Sequence, residues 1–330
     1  MTASSESVAD AQRSPLRAPD FFIVGHAKSG TTALYEMLRP HPQIFMPDAK
    51  EPWFFATDMR PRFQPRLAGA GPQTLQEYLS LFAGATPEQR AGEASSSYLW
   101  SRTAAARIAE VQPDAKIIAI LREPASFLRS LHLQLLQSHV ESQKDFRRAM
   151  ALEEQRRNGR RIPRRSHRPQ LLQYSDHVRY VEQLRRYEEL FAPEQILVLI
   201  YDDFRSDNAG TLRTVLRFLE VDESRPLEVL DVNHSTLMRS QQLDGLVHAV
   251  TVGRGPLSGA AKAAIKALSP QSTRQALIRF ARLKIVHGAP PPPDESFLLE
   301  LRRRFKGEVV ALSEHLDRDL VSLWGYDSLE

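Results

Sequence analysis

Lys28, Ser29, Gly30, Thr31 and Thr32 are the residue types that bind an oxyanion, and they fall together in one short stretch. Before them lies an apolar run, Phe21–Val24; after them, Ala33, Leu34, Met37 and Leu38 recur at helical spacing. A strand, a loop and a helix in that order offer unpaired backbone N–H groups and the positive end of a helix dipole. Gly25 and Gly30 allow close approach of backbone to ligand, Lys28 adds a point charge, and the three hydroxyls add donors. The two glycines have the spacing of the nucleoside-triphosphate loop G-x-x-x-x-G-K-[ST], but the lysine comes before the second glycine and threonine follows it. No acid that could hold Mg²⁺ ends an apolar strand: Leu121 is followed by Arg122, and Asp202 and Asp203 come after Tyr201. By itself the loop supports phosphate binding and nothing narrower.

A second group could hold another anion. "AKIIAILREP" reads as a buried strand, Lys116–Leu121, closed by Pro124, so Arg122 stands at the strand's C-terminal edge, where open α/β sheets bind ligands. Ser130 follows eight residues on, in a helix. A guanidinium and a hydroxyl there suit a phosphate, and two such sites on neighbouring strand tips suit a nucleotide charged at both ends.

The elements that must position these groups alternate. Leu75, Tyr78, Leu79 and Phe82 mark an amphipathic helix, "YVEQLRRYEELF" another, "QILVLIYDDF" a further buried strand and "TLRTVLRFLE" a helix after it. "APPPPD" breaks the chain before a last helix, Glu295–Leu316, and "DLVSLWGY" closes it. Apolar strands separated by helices predict an α/β fold, a P-loop-like three-layer arrangement with a central parallel sheet flanked by helices. The expected organisation is a disordered lead over residues 1–19 and one domain over 20–330, interrupted by a basic helical insertion or cap at about 245–293.

The chain has 330 residues, 42% of them hydrophobic and 25% charged, as in a globular protein with ample core. It has no cysteine, which excludes disulfides, thiolate metal sites and cysteine nucleophiles and suits a reducing compartment. The polar N-terminus lacks the apolar centre of a secretion signal, and no run approaches the roughly 18 apolar residues of a membrane helix. The expectation is a soluble, cytoplasmic protein. The net charge of +4 is uneven: residues 156–168 are rich in arginine without an acid, and residues 245–293 hold seven Lys or Arg, again without an acid. Such patches attract phosphate, sulfate, nucleic acid or anionic lipid, and solvated loops explain them equally well. No nucleic-acid motif accompanies them, so no nucleic-acid partner is expected. "AAKAAIKAL" and "RQALIRFARLKIV" are cationic and amphipathic, which suits weak contact with a membrane surface.

Taken together, "VGHAKSGTTAL", "KEPWFF", "GEASSSYL" and "IIAILREPASFLRS" occur in an order and spacing that resembles the sulfotransferases using 3′-phosphoadenosine 5′-phosphosulfate (PAPS). The likeness is greatest to bacterial relatives of the heparan-sulfate-type enzymes, and it covers roughly residues 20–235 and 295–325. It implies that Lys28, Ser29, Gly30, Thr31 and Thr32 hold the 5′-phosphosulfate and that Arg122 and Ser130 hold the 3′-phosphate. The product would be 3′,5′-diphosphoadenosine (PAP), with no metal. Lys28 would stabilise the leaving phosphate, and Glu51 of "KEPWFF" would be the general base, its pKa raised by Trp53, Phe54 and Phe55 if they exclude water. Another branch of sulfotransferases uses histidine, which brings in His132; His26 suits a hydrogen bond within the loop. Lys50, Trp53, Phe54 and Tyr98 are candidates for the acceptor side, whose aromatic character suits a hydroxyl on a small molecule, natural product or glycolipid, with a carbohydrate as the family's other acceptor.

Two positions depart from the heparan-type pattern. Glu93 is followed by Ala94 where a lysine is common, and Phe127 stands where a second arginine is often found, with Arg129 the nearest substitute. Two other readings remain: a nucleotide- or anion-binding module on a degenerate sulfotransferase fold, and an ATP-dependent kinase, which the displaced lysine disfavours.

Overall fold

A computed structural model describes residues 16–59, 71–164, 166, 168–224, 237–238, 287–288 and 292–329. The described residues fall into two compact units. The first holds those up to Leu128, those in 173–224 and those from Leu299 on; the second holds 129–172, 237–238, 287–288 and 292–298.

The first unit is built on a five-stranded sheet in the order β2-β3-β1-β4-β5, from β1 (Phe21–Gly25), β2 (Ile44–Phe45), β3 (Arg90–Ala94), β4 (Lys116–Leu121) and β5 (Ile196–Ile200). All pairings are parallel, so the C-terminal ends of β3, β1 and β4 lie side by side at one edge. Both faces are covered, as the unbroken apolar runs of β1 and β4 require. Phe21, Ile23, Ile118 and Ile120 share a core with Leu34 and Met37 of α1 (Thr31–Leu38), Phe204 of α8 (Tyr201–Ser206) and Leu212 and Leu216 of α9 (Asn208–Phe218). On the other face Phe22 meets the edge of Phe55, with ring centres 5.9 Å apart, and Phe55 packs on Tyr78 of α2 (Leu75–Ser80). The three-layer α/β arrangement with a central parallel sheet is the observed one.

β2 and β3 carry no strong sequence signal: β2 has two residues, and β3 is "RAGEA", with a glycine and a glutamate in its middle. Packing selects β3 regardless. The ring of Phe21 fills the space beside Gly92, where a Cβ would lie 2.1 Å from a ring carbon. The run "QILVLIYDDF" is strand only to Ile200; Tyr201 begins α8, with Asp202 and Asp203 in its first turn, where carboxylates suit the helix dipole. Helices α3 (Ala104–Val111) and α7 (Tyr180–Glu188) complete the layer, and α10 (Glu295–His315) and α11 (Leu320–Leu323) end the chain.

In the second unit, α5 (Phe146–Ala151) and α6 (Glu153–Arg157) accompany the later part of α4 (Pro124–Gln137). Its centre is ionic: Arg156 grips Glu141 through two hydrogen bonds of 2.7 and 2.8 Å, both side chains buried. That arginine begins the basic run 156–168 and is therefore structural. A two-stranded antiparallel pair, β6 (Leu237–Met238) and β7 (His287–Gly288), also belongs to this unit. Residues 1–15 of the expected lead over 1–19, and most of the expected insertion at 245–293, lie outside the described residues. Among the described residues no helix is long and apolar enough to cross a membrane, and no cluster of metal-ligating side chains occurs.

Candidate active site

Each of the three adjacent strand ends delivers part of one site. β1 runs into the loop 26–30 and then into α1, whose cap, Gly30, makes no side-chain capping bond, leaving first-turn N–H groups available. Gly30 has φ +93°, and a Cβ on it would lie 2.8 Å from the ring of Phe204. Lys28 takes φ 64°, Glu51 φ 60° and Trp53 φ 54°, so three of the seven non-glycine residues with positive φ among those described are candidate site residues. Such conformations persist where surrounding contacts enforce them. Ser29 is fully buried, and its Oγ has no hydrogen-bond partner among the described residues.

β4 is followed by Arg122, whose guanidinium donates to the carbonyl of Lys28 at 2.9 Å and lies 4.5 Å over the ring of Tyr201. The carbonyl of Arg122 accepts from Tyr180 Oη at 2.8 Å. Arg122 therefore joins the first loop. The pKa of Lys28 lies below the ordinary lysine value, first because of burial and then because Arg122 is close. Two cations brought together, with a buried hydroxyl left over, make a site that an oxyanion would complete.

His26 supports the loop from behind. Gln183 donates from Nε2 to the carbonyls of Asp176 and His177, which turns its Oε1 toward His26 Nε2, 2.7 Å away. The imidazole must then donate from Nε2, and the neutral tautomer is set. Burial lowers its pKa to about 4. This fits a fixed hydrogen bond, the role expected of His26.

β3 ends beside Glu51. The backbone N–H of Glu51 donates to the carbonyl of Ala94 at 3.0 Å, and Trp53 N–H to Ser95 Oγ at 3.2 Å. The Glu51 carboxylate accepts at Oε1 from Lys50 Nζ (3.0 Å) and Ser96 Oγ (2.8 Å), and at Oε2 from Trp53 Nε1 (2.5 Å) and Ser96 N (3.3 Å). It is one-quarter exposed. The apolar wall expected around it is in fact a set of donors: Phe54 and Phe55 turn into the core, and Trp53 presents its indole N–H. Phe54 stacks on Tyr78 at 4.7 Å, and the fully buried Tyr98 accepts from the N–H of Phe55. Phe54 and Tyr98, expected to line the acceptor side, are core residues; Lys50 and Trp53 are at the site, where they hold Glu51.

Ser130 and His132 belong to the second unit's share of α4 and are both buried. His132 Nε2 lies 3.2 Å from the carbonyl of Lys144, its ring stacks on Phe146, and burial lowers its pKa. Phe127 is core, packed on His26 with ring centres 5.0 Å apart.

Sequence reasoning passed over three contributors. Ser96 is hidden in a run of serines without periodicity. Gln183 shares the buried face of α7 with Tyr180, Leu184 and Tyr187, a spacing that could have singled it out. Glu93, fully buried in β3, has its pKa raised to about 7 by burial, against the opposing hydrogen bonds of Ser95, Tyr98 and Tyr78, the last donated from Oη to Oε2 at 3.0 Å.

The family model described as "Sulfotransferase domain" matches residues 18–244. The chain belongs to the sulfotransferase domain family. Mouse carbohydrate sulfotransferase 15 is 29% identical over 156 residues, covering 37% of this chain and 28% of the mouse protein. Human heparan sulfate glucosamine 3-O-sulfotransferase 6 is 34% identical over 120 residues, covering 36% of this chain and 31% of the human one. The matched region thus spans under a third of these curated relatives. The crystal structure of a sulfotransferase from Alicyclobacillus acidocaldarius superposes with a TM-score of 0.56 at 29% identity, covering 78% of this chain and 99% of that one. The candidate site therefore draws on three strand ends of a sheet whose architecture that crystal structure shares.

Proposed function

We propose that this sulfotransferase takes a sulfuryl group from PAPS and passes it to a hydroxyl of a small-molecule, natural-product, glycolipid or carbohydrate acceptor. The observation that carries the reading is the convergence of Lys28 and Arg122 on one loop that also holds the buried, unpartnered Ser29 Oγ. A nucleotide charged at both ends suits that set: Lys28, the first-turn N–H groups of Thr31 and Thr32 and a glycine that lets the backbone close in would serve the 5′-phosphosulfate, and Arg122 the 3′-phosphate.

PAPS, when bound, supplies a sulfuryl group on an oxygen that departs as part of a phosphate. The loop orients that phosphate, and Lys28 Nζ offers it charge and a hydrogen bond as the bond to sulfur breaks. Glu51 takes the proton of the acceptor hydroxyl. Its oxygens are fixed by Lys50, Trp53 and Ser96, so the carboxylate is oriented before the acceptor arrives. Glu51 is preferred to His132 because the histidine ring is stacked and its Nε2 engaged with the Lys144 carbonyl. The names of the relatives favour carbohydrate hydroxyls as the first acceptors to screen.

Calorimetric titration with PAP, and separately with ATP plus Mg²⁺, tests the donor class. PAP should bind without metal, and Arg122→Ala should abolish most of that affinity. Preference for ATP with Mg²⁺, or indifference to Arg122, would overturn the reading. Acceptor screening follows with Glu51→Gln as the inactive control.

A further inference from the structure

Three carboxylates adjoin, in sequence, residues of the proposed anion site. Asp202 and Asp203 follow Tyr201, whose ring lies under Arg122, and Glu123 follows Arg122 itself. The segment after α10 engages all three. Arg318 binds Asp203 through two hydrogen bonds of 2.6 and 2.7 Å. Trp324 Nε1 donates to Asp202 Oδ2 at 2.9 Å, and Tyr326 Oη to Glu123 Oε1 at 2.5 Å. Glu123 also accepts from the N–H groups of Ala125 and Ser126, capping α4, and Arg302 stands 3.7 Å from it. These partners all belong to the first unit, and the segment 318–326 lies beyond the 18–244 match.

We infer that the closing segment Arg318–Tyr326 sets donor affinity, by keeping the charges of Asp202, Asp203 and Glu123 paired and α8 seated under the anion loop. The inference rests on the proposed donor reading. Its physical route is short. α8 touches the site at two points, Tyr201 beneath Arg122 and Phe204 against Gly30. Withdrawing Arg318 would leave the Asp203 charge unpaired on α8, the helix that brings Tyr201 and Phe204 to the site, and would remove one positive charge from that helix's surroundings. These residues touch neither donor nor acceptor and act as positioning residues, so donor affinity should change while the chemical step does not.

The test is PAP titration of wild type, Arg318→Gln, Tyr326→Phe and the double variant Arg318→Gln/Asp203→Asn. Arg318→Gln should weaken PAP binding by about tenfold and raise the donor KM alike, with kcat and the acceptor KM unchanged. Tyr326→Phe should weaken it by a few-fold. The double variant has the wild-type net charge and no exposed carboxylate at position 203, so it should recover most of the affinity. Wild-type affinity in Arg318→Gln overturns the inference, as does a loss that Asp203→Asn fails to rescue or a parallel fall in kcat. Failure of wild type itself to bind PAP would instead bring down the donor reading, and this inference with it.

Discussion

The loop after β1 and the segment that meets the end of β3 serve opposite ends of the proposed reaction, and they are held in different ways. The first is a backbone device: Gly30 at φ +93°, Lys28 at φ 64°, open helix N–H groups, and a guanidinium bonded to a main-chain carbonyl. The second is a side-chain device, with one carboxylate under donors from Lys50, Trp53 and Ser96. An anion of fixed charge can be met by a rigid cradle, whereas a base must be aimed, and side chains aim it.

The most severe test of that division removes the base. Glu51→Gln should lower kcat by about 10²–10⁴ while leaving the PAP dissociation constant within a factor of about two. Lys28→Met should lower kcat by about 10²–10³ and weaken PAP as well, because this lysine serves both binding and departure. Steady-state kinetics with calorimetry on both variants separates the regions. Equal losses of PAP affinity in the two would erase the distinction between cradle and base.

The two regions also conceal opposite pH dependences. Behind the loop, burial lowers His26 from 6.5 to about 4; in β3, burial raises Glu93 from 4.5 to about 7. His26 binds more protons unfolded than folded between those values, so its contribution to stability is present above pH 6.5 and is lost as pH falls toward 4. Glu93 holds its proton longer when folded, so its contribution is present below pH 4.5 and is lost as pH rises toward 7. Each change amounts to about 3 kcal/mol across its window, roughly 1.4 kcal/mol per pH unit. Between about pH 4.5 and 6.5 the two slopes cancel. Denaturant unfolding of wild type, Glu93→Gln and His26→Gln over pH 4–7.5 reads them out. Relative to Glu93→Gln, wild type should lose stability as pH rises; relative to His26→Gln, it should gain. Parallel curves for wild type and Glu93→Gln would mean that the carboxyl titrates alike in the folded and unfolded states.

What could be read from the sequence follows from the same contrast. β1, α1 and β4 are local patterns, apolar runs bounded by glycine, lysine or proline, and the sheet places them where those patterns imply. Arg122 was legible because a strand end identifies it, although its bond to the Lys28 carbonyl was not. β3 was illegible because its membership depends on the Phe21 ring lying over Gly92, a contact between residues far apart in the chain. The aromatic run beside Glu51 gave a misleading reading for a related reason. Residue type does not say which way Phe54 and Tyr98 turn, and the core claimed both. The clamp on Glu51 combines neighbours in sequence, Lys50 and Trp53, with a serine delivered by β3, so only its first half was in view.

The serine allows the finest test of the clamp. Ser96 gives Glu51 two bonds, Oγ to Oε1 and N–H to Oε2, and Ser96→Ala removes only the first. The N–H, Lys50 and Trp53 still hold the carboxylate, so the base should be loosened without being lost. One hydrogen bond to a charged group, partly compensated by water at a site one-quarter exposed, corresponds to a fall in kcat of roughly tenfold. PAP affinity should not change, since nothing in the loop after β1 contacts this hydroxyl among the hydrogen bonds of the described residues. Ser96→Thr, which keeps the hydroxyl, should recover most of the rate. A full wild-type kcat in Ser96→Ala would show that Lys50, Trp53 and the backbone N–H of residue 96 suffice to aim Glu51. A loss of PAP affinity would show that the end of β3 belongs to the cradle after all.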